Sequence, residues 1–153
     1  MAGAAPALPA GYSISTDPAK LDRDIIHRFL VSSYWAEGIP RTVVDKAIEN
    51  SLNFGLYDAS GKQLGFARVI TDRSTFAYLA DVFVDPGARG RGFGKALMAA
   101  VIAHPDLQGL RRVLLATRDA HGLYAQYGFK ALHWPDRLME ILDLDVYSRS
   151  PKP

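Results

Sequence analysis

Three glycines, Gly90, Gly92 and Gly94, sit between an extended apolar stretch, Phe76 to Val84, and a run of good helix formers, Lys95 to Ile102. The pair Asp85-Pro86 ends the extended stretch, because proline cannot donate to a strand ladder. A strand, a glycine-rich loop and a helix therefore follow one another. That order leaves unpaired backbone N–H groups at the positive end of a helix dipole, where a phosphate or pyrophosphate is attracted. Glycine removes the side chains that would keep an anion from the backbone. Arg89, Arg91 and Lys95 add positive charge to the same segment.

The rest of the chain limits which ligand this is. Its 153 residues suit one domain with a proper core. A formal charge of +2, with no long basic run, does not suggest a nucleic-acid partner. There is no cysteine, and the four histidines are scattered, so neither a thiolate nor a histidine-based metal site is expected. No apolar run approaches the ~20 residues that span a bilayer. Met1 to Ala10 is apolar but lacks a basic start and is broken by Pro6 and Pro9. It reads as a disordered tail and not a signal peptide, and a cytoplasmic protein with no membrane partner is expected.

Tyr12 to Ser15 alternates like a short first strand, and Thr16-Asp17-Pro18 resembles the cap of a first helix reaching about Ser32. Pro40 opens a second helix with Val43, Val44, Ala47 and Ile48 on one stripe. Asn53–Tyr57, Leu64–Thr71 and Phe76–Val84 predict three antiparallel strands joined by polar turns. The glycine-loop helix runs to about His104. Arg112–Thr117 is a strand, Asp119–Tyr127 a short helix, and Phe129–Leu132 and Leu138–Val146 read as final strands. The order β-α-α-β-β-β-α-β-α-β-β is an α/β (α+β) pattern of about seven strands and about four helices. A dinucleotide-binding unit would place its glycine loop after the first strand. A nucleotide-triphosphate loop needs Ser or Thr after Gly94-Lys95, where Ala96 stands.

With those two excluded, the chain resembles the GNAT superfamily of N-acetyltransferases. Arg89, Gly92 and Gly94 match the family's Arg/Gln-x-x-Gly-x-Gly/Ala signature. Ala120-x-x-Leu123-Tyr124-x-x-Tyr127-Gly128-Phe129 resembles a second family segment, and the element order agrees over residues 12 to 146. The resemblance implies one acyl-CoA N-acyltransferase domain over residues 11–147, with tails at 1–10 and 148–153. It implies acetyl-CoA as co-substrate, with no metal. Gly90, Arg91, Gly92, Phe93, Gly94 and Lys95, with Arg89, would hold the pyrophosphate. Val82, Phe83 and Val84 would offer main-chain groups to the pantetheine arm, which enters where the fourth and fifth strands splay.

Thr117 stands where many members carry an asparagine that helps hold the cofactor. Tyr124 would be the general acid, since direct aminolysis of a thioester expels a thiolate and a phenol with pKa near ~10 can protonate it. Tyr127 is read as structural.

The acceptor is expected to be a primary amine of a small molecule or peptide. Such an amine attacks only when neutral, which costs a lysine-like group roughly 4–5 kcal/mol at neutral pH. Asp81, an acid inside an apolar strand, is the candidate base or substrate anchor. The neighbouring position, where some members carry a glutamate base, is Ala80. Tyr34, Trp35 and Glu37 fall in the segment that lines the acceptor site in this fold, where aromatics beside an acid could hold a cation. A homodimer is a form many members take. The alternative is a catalytically weak coenzyme A-binding sensor or partner-binding module on the same fold.

Overall fold

The structure, a computed structural model, describes residues 6–149. Five strands form its sheet: β1 (Ser13–Ser15), β2 (Leu52–Tyr57), β3 (Gln63–Thr71), β4 (Phe76–Val84) and β5 (Arg112–Leu115). They are hydrogen-bonded in chain order. The first three pairings are antiparallel and β4–β5 is parallel. A parallel pair cannot be closed by a hairpin, so the chain crosses over through helix α3 (Phe93–Ala103).

Turn chemistry sets the antiparallel registers. Asp58 Oδ1 accepts from the amides of Ser60 and Lys62 between β2 and β3. Asp72 accepts from the amides of Ser74, Thr75 and Phe76 between β3 and β4. With Thr75 Oγ1 donating as well, this network holds the Asp72 carboxyl far below the usual range.

The sheet is covered on both faces. Leu97, Met98 and Val101 of α3 are buried against Leu52, Phe54, Leu56 and Val69. Each such side chain stabilises the fold by about 1.5–3 kcal/mol relative to exposure. Gly65 permits this approach, since a Cβ there would stand 3.1 Å from Leu97 Cδ1 and 3.1 Å from Phe83 O. On the other face lie α1 (Arg23–Val31) and α2 (Arg41–Glu49). Their Ile26, Leu30, Val44 and Ile48 pack with Phe66 and Phe83, and Phe29 stacks on Phe83 with centroids 4.0 Å apart. The short helix α4 (His121–Ala125) follows β5 and buries no residue fully.

Two expectations are corrected. The sheet has five strands and not about seven: Phe129–Leu132 and Leu138–Val146 form no strand among the described residues. Alternation marks a segment able to be a strand, but a strand exists only when a neighbour takes its N–H and C=O groups. Also, Asp17 caps a 3-10 turn at Pro18–Lys20, and the first helix starts later, with Asp22 Oδ1 accepting from Ile25 N at 3.1 Å. Of the expected N-terminal tail, residues 1–5 lie outside the described residues, while Leu8 packs against the main core. Of the C-terminal one, residues 150–153 lie outside them.

One buried group makes a testable cost. Tyr57 is 4 % exposed, its hydroxyl has no hydrogen-bond partner, and burial pushes its pKa up to about 12. The folded state thus keeps a proton that the unfolded chain, titrating near ~10, gives up. Stability is expected to fall as pH rises from about 10 to about 12. Tyr57→Phe should flatten that limb and gain about 1 kcal/mol at neutral pH. Denaturant midpoints at several pH values read both effects.

Candidate active site

The glycine loop starts where β4 stops. Asp85 Oδ2 accepts from Gly87 N, and Arg89 Nε donates to Val84 O at 3.2 Å, tying the loop to the strand end. Gly90 and Gly92 take φ of 79° and 82°, the left-handed region that favours glycine. Gly92 is the N-cap of α3 and supplies no side-chain acceptor, so the first-turn amides are left open to an outside partner. The Arg91 guanidinium lies over the rings of Phe93 and Tyr12, at 4.8 and 5.5 Å from their centroids.

Gly94 is informative for a different reason. It lies in the first turn of α3 without a positive φ, and a Cβ there would meet nothing within 4 Å. Nothing inside the chain requires glycine, although glycine weakens a helix by about 0.5–1 kcal/mol relative to alanine. The open space fits close approach of an anion to the loop. Gly94→Val is therefore expected to leave the melting temperature unchanged or raised and to weaken coenzyme A binding about tenfold or more. Calorimetric titration beside thermal melting checks both halves.

The cleft arises from how β4 and β5 part. Their pairing runs from Phe76↔Arg112 to Leu79↔Leu115 and ends there, while β4 continues to Val84. The β5 side of Ala80 to Val84 is left without a strand partner. A β-bulge marks the same place: Arg68 faces Ala80 and Phe66 faces Phe83, so Ala67 alone opposes both Asp81 and Val82. Asp81 takes φ 54°, rare for a residue with a side chain.

Side chains hold Asp81 there. Its Oδ2 accepts from Arg68 Nε at 2.7 Å and its Oδ1 from Trp35 Nε1 at 2.9 Å. Arg68 also donates to Ser51 Oγ at 3.1 Å. The Arg68 and Asp81 side chains are only 16 % and 11 % exposed, so each would be costly to leave unpaired.

A cavity of about 700 Å³ opens into this splay. Asp81 and Val82 line it from β4, Thr117 from the chain after β5, Tyr124 from α4, and Tyr34 and Trp35 from the loop after α1. Its wall on the α2 side is apolar, built from Val43, Val44 and Ala47. Thr117 Oγ1 accepts from Ala120 N at 3.0 Å, organising the turn into α4. Tyr124 is half-buried, and burial, with smaller effects of Tyr34 and Asp119, holds its phenol above the ordinary value. Tyr127 donates to Lys95 O at 2.8 Å and so pins α4 to the glycine-loop helix, the structural part expected of it.

The expected residues do not all meet. Glu37 is exposed and does not line the cavity. Phe83 turns its ring into the α1–α2 core, leaving only its main chain for the splay. Sequence reasoning missed Arg68, although an arginine inside a buried strand is a signal for a paired acid. It also missed Arg118, whose guanidinium lies 3.9 Å from the Tyr34 ring centroid and whose amide donates to Tyr34 Oη. Tyr147, near the C-terminus, lines the cavity too. Among the described residues no group of acids and histidines could hold a metal ion. No helix there is long and apolar enough to cross a membrane.

Known proteins share this fold. The family model of the acetyltransferase (GNAT) domain matches residues 49–131. The peptidyl-lysine N-acetyltransferase YiaC of Escherichia coli is 35% identical over 113 residues, covering 72% of each chain. A crystal structure from Xanthomonas campestris pv. campestris, of a protein assigned to the GNAT family, superposes with a TM-score of 0.89 at 54% identity. That match covers 94% of this chain and 100% of the other. A Mycobacterium tuberculosis protein solved in complex with CoA shares the fold, with a TM-score of 0.62 at 23% identity over 79% of this chain and 73% of that one. The chain belongs to the GNAT acetyltransferase family and is an N-acetyltransferase (EC 2.3.1.-). Members of that family use acetyl-CoA.

Proposed function

We propose that this enzyme moves an acetyl group from acetyl-CoA to a primary amine by direct attack in a ternary complex, with a lysine side chain of a peptide as the favoured acceptor. The observation that carries the reading is the single cavity shared by Tyr124 and Asp81, opening into the β4–β5 splay. The amides from Gly90 to Lys95 bind the pyrophosphate, and the main chain of Val82 to Val84 aligns the pantetheine arm. Tyr124 stays protonated because its phenol is held high, so it can give its proton to the departing thiolate.

Asp81 faces the acceptor as a carboxylate whose charge Arg68 partly offsets. It orients an ammonium, each of its oxygens retaining a lone pair for that contact. The ammonium sheds one proton to solvent before it attacks, and the second proton the nitrogen loses as the amide forms restores the Tyr124 phenol once coenzyme A has left as the thiol. The apolar wall of Val43, Val44 and Ala47 suits the methylene stem of a lysine. The likeness to a peptidyl-lysine N-acetyltransferase supports the same choice.

A second reading, coenzyme A binding without turnover, is favoured by one observation: both oxygens of Asp81 are already engaged, by Arg68 and by Trp35. A thiol-release assay over lysine peptides, N-terminal amines and small amines separates the two. Turnover highest on lysine peptides and lost in Tyr124→Phe supports the transferase. Saturable coenzyme A binding with no turnover on any amine would establish the binder.

A further inference from the structure

Among the described residues, the charged side chains lining the cavity are Arg68, Asp81, Arg118 and Asp119. The first two are paired with each other. Arg68 donates to Asp81 Oδ2 and to Ser51 Oγ, and both members of the ion pair are mostly buried. Arg118 is placed differently. Its side chain is 65% exposed, and its guanidinium makes no hydrogen bond among the described residues. Its contact with Asp119 is 3.8 Å long and joins two exposed side chains, and such a contact contributes little.

The chain nevertheless holds that guanidinium in position. Arg118 N donates to Tyr34 Oη at 3.2 Å, and the guanidinium lies 3.9 Å from the centroid of the Tyr34 ring. Stacking on a ring face uses the charge but not the N–H donors, which point outward in the guanidinium's own plane. Trp35, the next residue, donates to Asp81 Oδ1, and its ring meets Tyr34 edge-on with centroids 5.1 Å apart. Two consecutive aromatics of one loop thus hold an anion on β4 and a cation beyond β5. The cavity presents one group suited to an ammonium and, across the aromatic pair, a second suited to a carboxylate.

We propose that Arg118 sets acceptor specificity by binding the side-chain carboxylate of an aspartate or glutamate close in sequence to the acceptor lysine. The substrate class is then a lysine in an acidic peptide segment, an inference that rests on the lysine-peptide reading above. The Arg118 fork donates to both carboxylate oxygens while Asp81 receives the ammonium. Exposure of Arg118 keeps the effect modest and sensitive to salt.

The test is thiol release on lysine peptides that differ at one position, carrying Glu, Gln or Arg in turn at the positions flanking the lysine. Glu at one or more of these positions is expected to raise kcat/KM about fivefold over Gln, through KM, and Arg to lower it. The preference should shrink between about 50 and about 500 mM salt. Arg118→Gln should abolish the Glu-over-Gln ratio, Arg118→Glu should invert it, and Arg118→Lys should keep part of it. Arg137→Gln removes a guanidinium held 3.9 Å from the Trp134 ring centroid outside the cavity, and should keep the whole ratio. A ratio between peptides does not move with a general loss of folding or chemistry. Should a variant not fold, the other variants and the salt dependence of the unaltered enzyme decide. Equal kcat/KM for Glu and Gln peptides at every position overturns the role of Arg118 alone, as does a Glu preference that survives Arg118→Gln and Arg118→Glu. Absence of turnover on every lysine peptide overturns the lysine-peptide reading, and this proposal with it.

Discussion

Tyr124→Phe is expected to lower kcat for thiol release by about 10²-fold or more, with the affinity for coenzyme A changed less than about twofold. General acid catalysis by a positioned side chain is worth 10²–10⁴ in rate, and 10² corresponds to about 2.7 kcal/mol of barrier. The substitution removes one oxygen and no packing. The ring still meets Phe129 edge-on at a centroid distance of 5.9 Å, and the Tyr124 carbonyl still accepts from Phe129 N. Stability should therefore be preserved. The loss should also be smaller for acyl donors whose leaving thiol is more acidic, because protonating such a thiolate matters less. A Tyr124→Phe enzyme that turns over normally would remove this side chain from the chemistry.

Arg68→Met is expected to cost about 3 kcal/mol of stability, read as a fall of about 6–12 °C in melting temperature for a chain of this size. It leaves Asp81 with only the Trp35 donor, in a strand bulge at φ 54°. The double variant Arg68→Met, Asp81→Asn should recover most of that loss. Asparagine tolerates the left-handed conformation, is neutral, and can still accept from Trp35 Nε1. Activity separates the two. The double variant should regain stability but keep a raised KM for a cationic acceptor, because the carboxylate proposed to face the amine is gone. Equal recovery of stability and KM would reduce Asp81 to a structural acid.

These two positions show what was readable from residues alone. The strand Phe76–Val84 begins and ends where its apolar run and Asp85-Pro86 place it, and the glycine loop opens α3 as its composition requires. Tyr124, singled out by its sequence segment, lines the cavity. All three depend on local chemistry: turn residues, helix propensity and an anion-ready helix end.

What escaped reading depends on pairing across the chain. Arg68 is thirteen residues from Asp81, and only the bulged β3–β4 register brings them together. Arg118 and Tyr34 meet across 84 residues. The segment Leu138–Val146 carries the pattern of a strand, but whether a strand forms depends on which edge is available, and that is a property of the assembled sheet.

Coenzyme A bound in the β4–β5 splay, with its pyrophosphate on the glycine loop, would be seen by following backbone amide resonances while coenzyme A is titrated in. Saturable shifts concentrated at residues 80–84 and 90–95 are expected, with the Gly94→Val protein showing the same pattern only at higher ligand concentration. Saturable shifts clustered away from both segments, or no shifts at millimolar ligand, would contradict this placement.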